Sequence, residues 1–157
     1  MEIMVTNRFI INELEFQLPH IVISITDDPE HFPQIKEKNC KGILRIAVWD
    51  TEDGENFRSI HNFAASEIPS DRIFNNLHAK RILKFVFNHI KDIRLIICQC
   101  DMGLSRSAAI AAALAKILNN DDEEFFQSPY IPNQLIYRTI LNEYQNMKRD
   151  CENISHG

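Results

Sequence analysis

The stretch Ile96-Ile97-Cys98-Gln99-Cys100-Asp101-Met102-Gly103-Leu104-Ser105-Arg106-Ser107-Ala108 constrains this chain more than any other. An apolar β-branched run stops at a cysteine, a five-residue segment with one glycine follows, and an arginine opens a long alanine-rich run. The pattern predicts a buried strand, a tight loop and a helix. In that arrangement the loop amides and the unpaired N-terminal donors of the helix point at one spot, which suits a phosphate-like anion. Cys100 and Arg106 both face it.

A buried strand needs neighbours, and the rest of the chain offers them. Residues 1–12 alternate loosely, Ile21–Ile25 is a β-branched run ended by Thr26-Asp27-Asp28-Pro29, and Ile43–Trp49 is a strand between Gly42 and the polar loop Asp50–Gly54. From Asp50 to Asn75 the sequence reads as a long loop or short turns, apart from Ile60–Ala65. Ile73, Leu77, Leu83, Val86, Phe87 and Ile90 keep helical spacing. Ser107–Leu118 is apolar almost all round, as an enclosed helix would be, and Asn119–Glu124 is an acidic connector. A last helix starts near Pro132-Asn133, with Ile136, Ile140, Tyr144 and Met147 on one face and Cys151–Gly157 frayed. Strands alternating with helices predict an α/β domain over residues 1–157, with a mostly parallel sheet and helices on both faces.

Composition removes several other classes. At 157 residues the chain can bury one sizeable core, and 45% hydrophobic with 25% charged residues is ordinary for a globular domain. A formal net charge of -5 supplies no general attraction for nucleic acid or an anionic membrane, so any anion must be drawn by a local site. The four cysteines, at 40, 98, 100 and 151, are too few and too scattered for a disulfide framework. Met1 through Phe16 lacks the basic region and clean apolar core of a secretory leader, and no stretch reaches the ~18 apolar residues of a membrane span. These features favour the cytoplasm and reduced thiols. Nothing sets an oligomeric state, and a monomer would suffice.

Cys100 ends a strand just before a helix, where cationic charge and amide donors favour a thiolate. That predicts a nucleophile, against the alternative of one more buried small hydrophobe. Arg106 offers a planar fork that can hold two oxygens of a phosphoryl group, and its position beside the positive end of a helix dipole makes sense once an anion is bound there. Gly103 lets the loop turn its amides inward, and Ser107 can donate to the cysteine sulfur or serve simply as a helix-start hydroxyl. Cys98 points to the same side as Cys100 and reads as core, with a redox-protecting partner of Cys100 as the alternative. The six histidines show no metal-ligand spacing with the cysteines. Trp49, Phe57 and Phe63 could line an aryl pocket or pack in the core.

Cys100 to Ala108 resembles the Cys-x5-Arg-Ser signature of the cysteine-dependent protein tyrosine phosphatases, and Met-Gly-Leu-Ser-Arg-Ser-Ala is most similar to their dual-specificity branch. The Ile-Ser-Ile-Thr-Asp run at 23–27, Leu-Arg-x-x-Val-x-Asp at 44–50 and Pro-Asn-x-x-Ile at 132–136 extend the likeness to compact microbial members. The resemblance implies Asp101, Met102, Gly103, Leu104, Ser105 and Arg106 as the phosphate-binding loop and Cys100 as nucleophile. Arg106 would then stabilise charge, Ser107 assist the departing sulfur, and an aspartic acid protonate the leaving oxygen, with neither metal nor cofactor. Asp50, directly after Trp49, is the first choice for that acid, and Asp53 and Asp71 are alternatives on the same loop.

Two departures stand out. Gln99 replaces the histidine usual before the nucleophile, and no proline separates Trp49 from Asp50. The loop also holds no lysine, and Asp101 would repel extra phosphates, so a phosphotyrosyl or dual-specificity phosphoprotein substrate is expected over phosphoinositides or RNA 5′-triphosphates. The rival readings are a phosphate-binding pseudophosphatase and sulfur transfer of the rhodanese type.

Overall fold

A computed structural model describes residues 1–52 and 69–155. Four strands, β1 (Glu2–Asn7), β2 (His20–Thr26), β3 (Cys40–Ala47) and β4 (Leu95–Cys100), form one sheet in the order β1-β4-β2-β3. Every pairing is parallel. Three α-helices accompany them, α1 (Asn76–His89), α2 (Arg106–Asn119) and α3 (Gln134–Ser155), with short 3-10 turns at Ser70–Arg72 and Glu123–Phe126.

The helices lie differently from the sequence expectation of cover on both faces. Ile21, Ile23 and Ile25 of β2 and Ile96, Cys98 and Cys100 of β4 pack in one cluster with residues of α1, α2 and α3. The alternate residues Val22, Leu95 and Ile97 meet Ile11, Phe16, Leu18 and Ile35 from irregular chain instead. The handedness of parallel connections explains the split. The chain steps one way across the sheet from β1 to β2 to β3 and the other way from β3 to β4, so right-handed crossovers place these connections on opposite faces. The β1–β2 and β2–β3 connections carry Pro19, Pro29 and Pro33 and cover their face without an α-helix.

Local chemistry sets the element ends. Asn75 caps α1, its side chain accepting from Leu77 N (2.9 Å) and His78 N (3.3 Å), while the His78 ring accepts from Asn75 N (3.0 Å). Leu77, read as part of the apolar face, is instead 69% exposed, and Ala79 and Ile82 fill the buried positions beside Leu83 and Val86. Gly42 lies within β3 rather than before it, at a point where a Cβ would come within 2.9 Å of His89 Nε2 on α1. Asn120 ends α2 in the left-handed region (φ 55°). The C-terminal residues Cys151–Ser155, expected to fray, continue α3.

Candidate active site

Parallel strands finish at the same edge of a sheet, so the segments after β1, β2, β3 and β4 are neighbours. The register pairs Asn7 with Cys100 and Ser24 with Gln99, which sets the depth of the loop that follows β4. Cys100, 2% exposed, ends that strand. Its Sγ lies 3.0 Å from Ser107 Oγ and accepts the Gly103 N–H at 3.2 Å. The residues expected to surround the thiol are thus brought together.

Gly103 makes the turn with φ 73°, and a Cβ there would sit 2.9 Å from the Thr6 carbonyl oxygen. Both the left-handed backbone and the close approach of β1 require glycine. Asp101 and Ser105 of the same loop are half-buried, and Met102 and Leu104 are 61% and 36% exposed.

Arg106 opens α2 and is almost fully buried. Its Nη1 donates to the Val48 carbonyl (2.8 Å) and to Asp27, and its Nη2 donates to Asp101 Oδ2 (3.0 Å). Burial alone would lower the Arg106 pKa, but Asp27, Cys100, Asp101 and Asp50 together hold it above the ordinary value. The Nε has no acceptor and is one of three buried side-chain polar atoms left unpartnered among the described residues, with Thr6 Oγ1 and Thr51 Oγ1. An unsatisfied guanidinium donor is costly to bury, and an oxyanion in the cradle could satisfy it.

Asp101 sits differently from the expectation that its charge would confront a substrate. Its Oδ1 accepts from Arg8 Nη1 (2.8 Å) and Thr26 Oγ1 (3.0 Å), while Oδ2 faces Arg106. The two arginines draw the carboxylate inward and offset it. Neither Asp27 nor Arg8 was given a site role from the sequence; Asp27 was visible as the last residue of the Ile-Ser-Ile-Thr-Asp run, and Arg8 carried no motif.

Asp50 lies at the cradle. Ser105 Oγ and Asn133 Nδ2 both donate to its Oδ1 at 2.8 Å, and its charge reaches Arg106. Of the alternatives, Asp71 is exposed in the Ser70–Arg72 turn with Arg72 3.9 Å away, and Asp53, like Phe57 and Phe63, lies outside the described residues. Asn133 is a site residue that sequence reasoning missed. Fully buried, it gives Nδ2 to the Thr51 carbonyl as well (2.8 Å), takes the Ile136 N–H on Oδ1 (3.0 Å) and gives its own N–H to Ser105 O (3.1 Å). It therefore joins the start of α3 to the Asp50 segment and the loop after Cys100. The Pro-Asn-x-x-Ile pattern was the available signal.

Gln99 faces away from Cys100 across the strand, where Ser24 Oγ donates to its Oε1 and its Nε2 donates to the Cys100 carbonyl (3.0 Å). It fixes the Cys100 backbone and brings no charge. Burial pushes the Cys98 thiol far above its ordinary range, with Cys100 adding to the effect, so Cys98 stays a core residue. Among the described residues no group of three metal-ligating side chains converges, and no helix is long and apolar enough to cross a membrane.

No family model matches the sequence, and no curated protein does. The fold does have counterparts. Human DUSP28 is 12% identical and superposes with a TM-score of 0.57 over 94% of each chain. PTPMT1 is 13% identical with a TM-score of 0.55, covering 97% of this chain and 95% of that one. Its complex with PI(5)P gives 14% and 0.51 over 84% and 80%. The chain therefore has the fold of the protein tyrosine and dual-specificity phosphatase superfamily.

Proposed function

We propose that the protein is a phosphomonoester hydrolase working through a cysteinyl-phosphate, with phosphoprotein substrates carrying phosphotyrosine or both phosphotyrosine and phosphoserine or phosphothreonine. The observation that carries this reading is Arg106, which is buried beside a thiol and held by carboxylates on both η nitrogens, yet retains an unpartnered Nε. A phosphoryl oxygen would complete it. The Gly103 N–H and Ser107 hydroxyl, now on the sulfur, supply further donors next to the same atom.

In the first step the Cys100 thiolate forms a bond to phosphorus as the ester P–O bond breaks, and Asp50, as a carboxylic acid, gives its proton to the leaving oxygen. In the second, water attacks phosphorus and gives a proton back to the Asp50 carboxylate. The S–P bond breaks, and Ser107 donates to the departing thiolate. Arg106 and the loop amides balance the charge on the equatorial oxygens throughout. Ser105 and Asn133 hold Asp50 where it can serve both steps.

One experiment decides: turnover of an aryl phosphate by the wild type, Cys100→Ser, Arg106→Ala and Asp50→Asn, with vanadate as inhibitor. The expected result is vanadate-sensitive hydrolysis, abolished in the first two variants and reduced in Asp50→Asn most for poor leaving groups. Oxyanion binding without turnover would favour a phosphate-binding module, a reading to which the prior engagement of both Arg106 η nitrogens lends some support. Thiocyanate formation from thiosulfate would replace the phosphatase reading with sulfur transfer.

A further inference from the structure

Nine large hydrophobic side chains are exposed among the described residues, and five of them gather around the cradle. Met102 (61% exposed) and Leu104 (36%) project from the loop itself. Ile131 (75%) is tied to that loop by its N–H on the Leu104 carbonyl at 2.9 Å. Phe9 (69%) and Ile10 (44%) follow Arg8, whose N–H and guanidinium both bond Asp101, and Asn7 Oδ1 accepts from their amides. Exposed apolar groups scattered singly need no explanation, but five of them on the segments that frame one polar centre do.

The fixed charges at the cradle lean negative by one, two arginines against three aspartates. Carboxylates of Asp27, Asp50 and Asp101 stand there, and the two cations whose side chains reach them, Arg8 and Arg106, are both engaged by aspartates. Acidic groups flanking a phosphate would meet like charge. Among the described residues, an anionic lipid surface would find at this edge no cluster of available basic side chains of the kind such surfaces require. An apolar neighbour would meet apolar carbon.

We propose that the collar of Phe9, Ile10, Met102, Leu104 and Ile131 docks a phosphorylated polypeptide segment whose modified residue is flanked by apolar side chains, not acidic ones. The assignment rests on the phosphatase reading of the cradle and names its substrate class. Burying two or three apolar side chains against the collar contributes roughly tenfold or more in specificity.

The test compares two phosphotyrosyl peptides of equal length, one with leucine and isoleucine flanks and one with aspartate and glutamate flanks. Turnover by the wild type and binding to Cys100→Ser by fluorescence anisotropy are both measured. The apolar peptide should be favoured ~10-fold or more. Phe9→Ser combined with Ile131→Ser should erase that preference while leaving turnover of a small aryl phosphate unchanged. Phe9→Lys with Ile131→Lys should move it toward the acidic peptide. Equal handling of the two peptides, a preference that survives the serine pair, or faster hydrolysis of a phosphoinositide in vesicles than of either peptide would overturn the docking assignment. Loss of the function reading looks different: no aryl phosphate turnover by the wild type and no phosphopeptide bound by Cys100→Ser.

Discussion

Asp101→Asn separates two roles that one carboxylate combines. Asparagine keeps the shape and an acceptor oxygen but removes the charge now shared by Arg8, Thr26 and Arg106. A bound oxyanion on Arg106 would lie one guanidinium away from Asp101, on the order of 6 Å. At that distance a unit charge costs the anion about 0.7–3 kcal/mol for effective dielectrics between 80 and 20. Arg8 offsets part of this, leaving roughly tenfold tighter vanadate binding as the expected gain. Stability should move the other way. Three hydrogen bonds to the carboxylate are weakened, one from a guanidinium that is 30% exposed, one from the Thr26 hydroxyl and one from a buried guanidinium, so after discounting for solvent the loss is about 1–3 kcal/mol. Calorimetric titration with vanadate and equilibrium urea unfolding measure the two quantities. Arg8→Ala should weaken vanadate binding, and adding Asp101→Asn to it should restore affinity, a non-additivity expected of groups in direct contact. If Asp101→Asn weakens vanadate binding instead, Asp101 matters as a prop for Arg106 and the charge argument is wrong.

Other consequences can be checked separately. Gly103→Ala adds a left-handed penalty of about 1–2 kcal/mol to a collision with the Thr6 backbone, so its urea midpoint should fall and hydrolysis should be lost; Gly103→Asn, which tolerates the backbone angle but not the contact, should do no better. Asn133→Ala removes a helix cap and leaves the Thr51 carbonyl unpaired, for a loss of roughly 2–4 kcal/mol, and it should slow poor leaving groups more than good ones because Asp50 loses a tether. Burial holds the His78 pKa below its ordinary 6.5, with Arg81 adding to the effect and Asp71 opposing it. The unfolded chain therefore takes up the proton first, and stability present above pH 6.5 is lost as pH falls through the lowered value. His78→Gln should keep the capping contact and flatten that slope in unfolding measured between pH 7.5 and 5.

The parts of the fold that depend on local sequence were legible, and those that depend on lateral contact were not. β-branched runs announced β2, β3 and β4, and alanine-rich apolarity announced α2, because burial of a strand or an enclosed helix leaves its mark on consecutive residues. The distribution of helices was hidden, since it follows from strand order, and β4 inserting between β1 and β2 has no local signature. Leu77 was misread for a related reason: helical spacing alone cannot tell the buried stripe from an exposed position one turn away when Ala79 and Ile82 serve equally well.

The candidate site divides in the same manner. Cys100, Gly103, Arg106 and Ser107 sit within one short segment, so their spacing carries their geometry. The groups that position Arg106 come from elsewhere: Asp27 from after β2 and the Val48 carbonyl from after β3, with Arg8 from after β1 acting through Asp101. A parallel sheet forces this convergence, because all four strands end at one edge whatever their order in the chain. Once two arginines, Arg8 and Arg106, share that edge with Asp27, Asp50 and Asp101, the fixed charges nearly cancel, at two positive against three negative. An anion there would be held at contact distance, by the unpartnered Arg106 Nε and the Gly103 amide that now bonds the Cys100 sulfur, and not by net positive charge. Such a cradle has little long-range pull, so recognition falls to whatever surrounds it at contact distance, which on this molecule is the apolar collar.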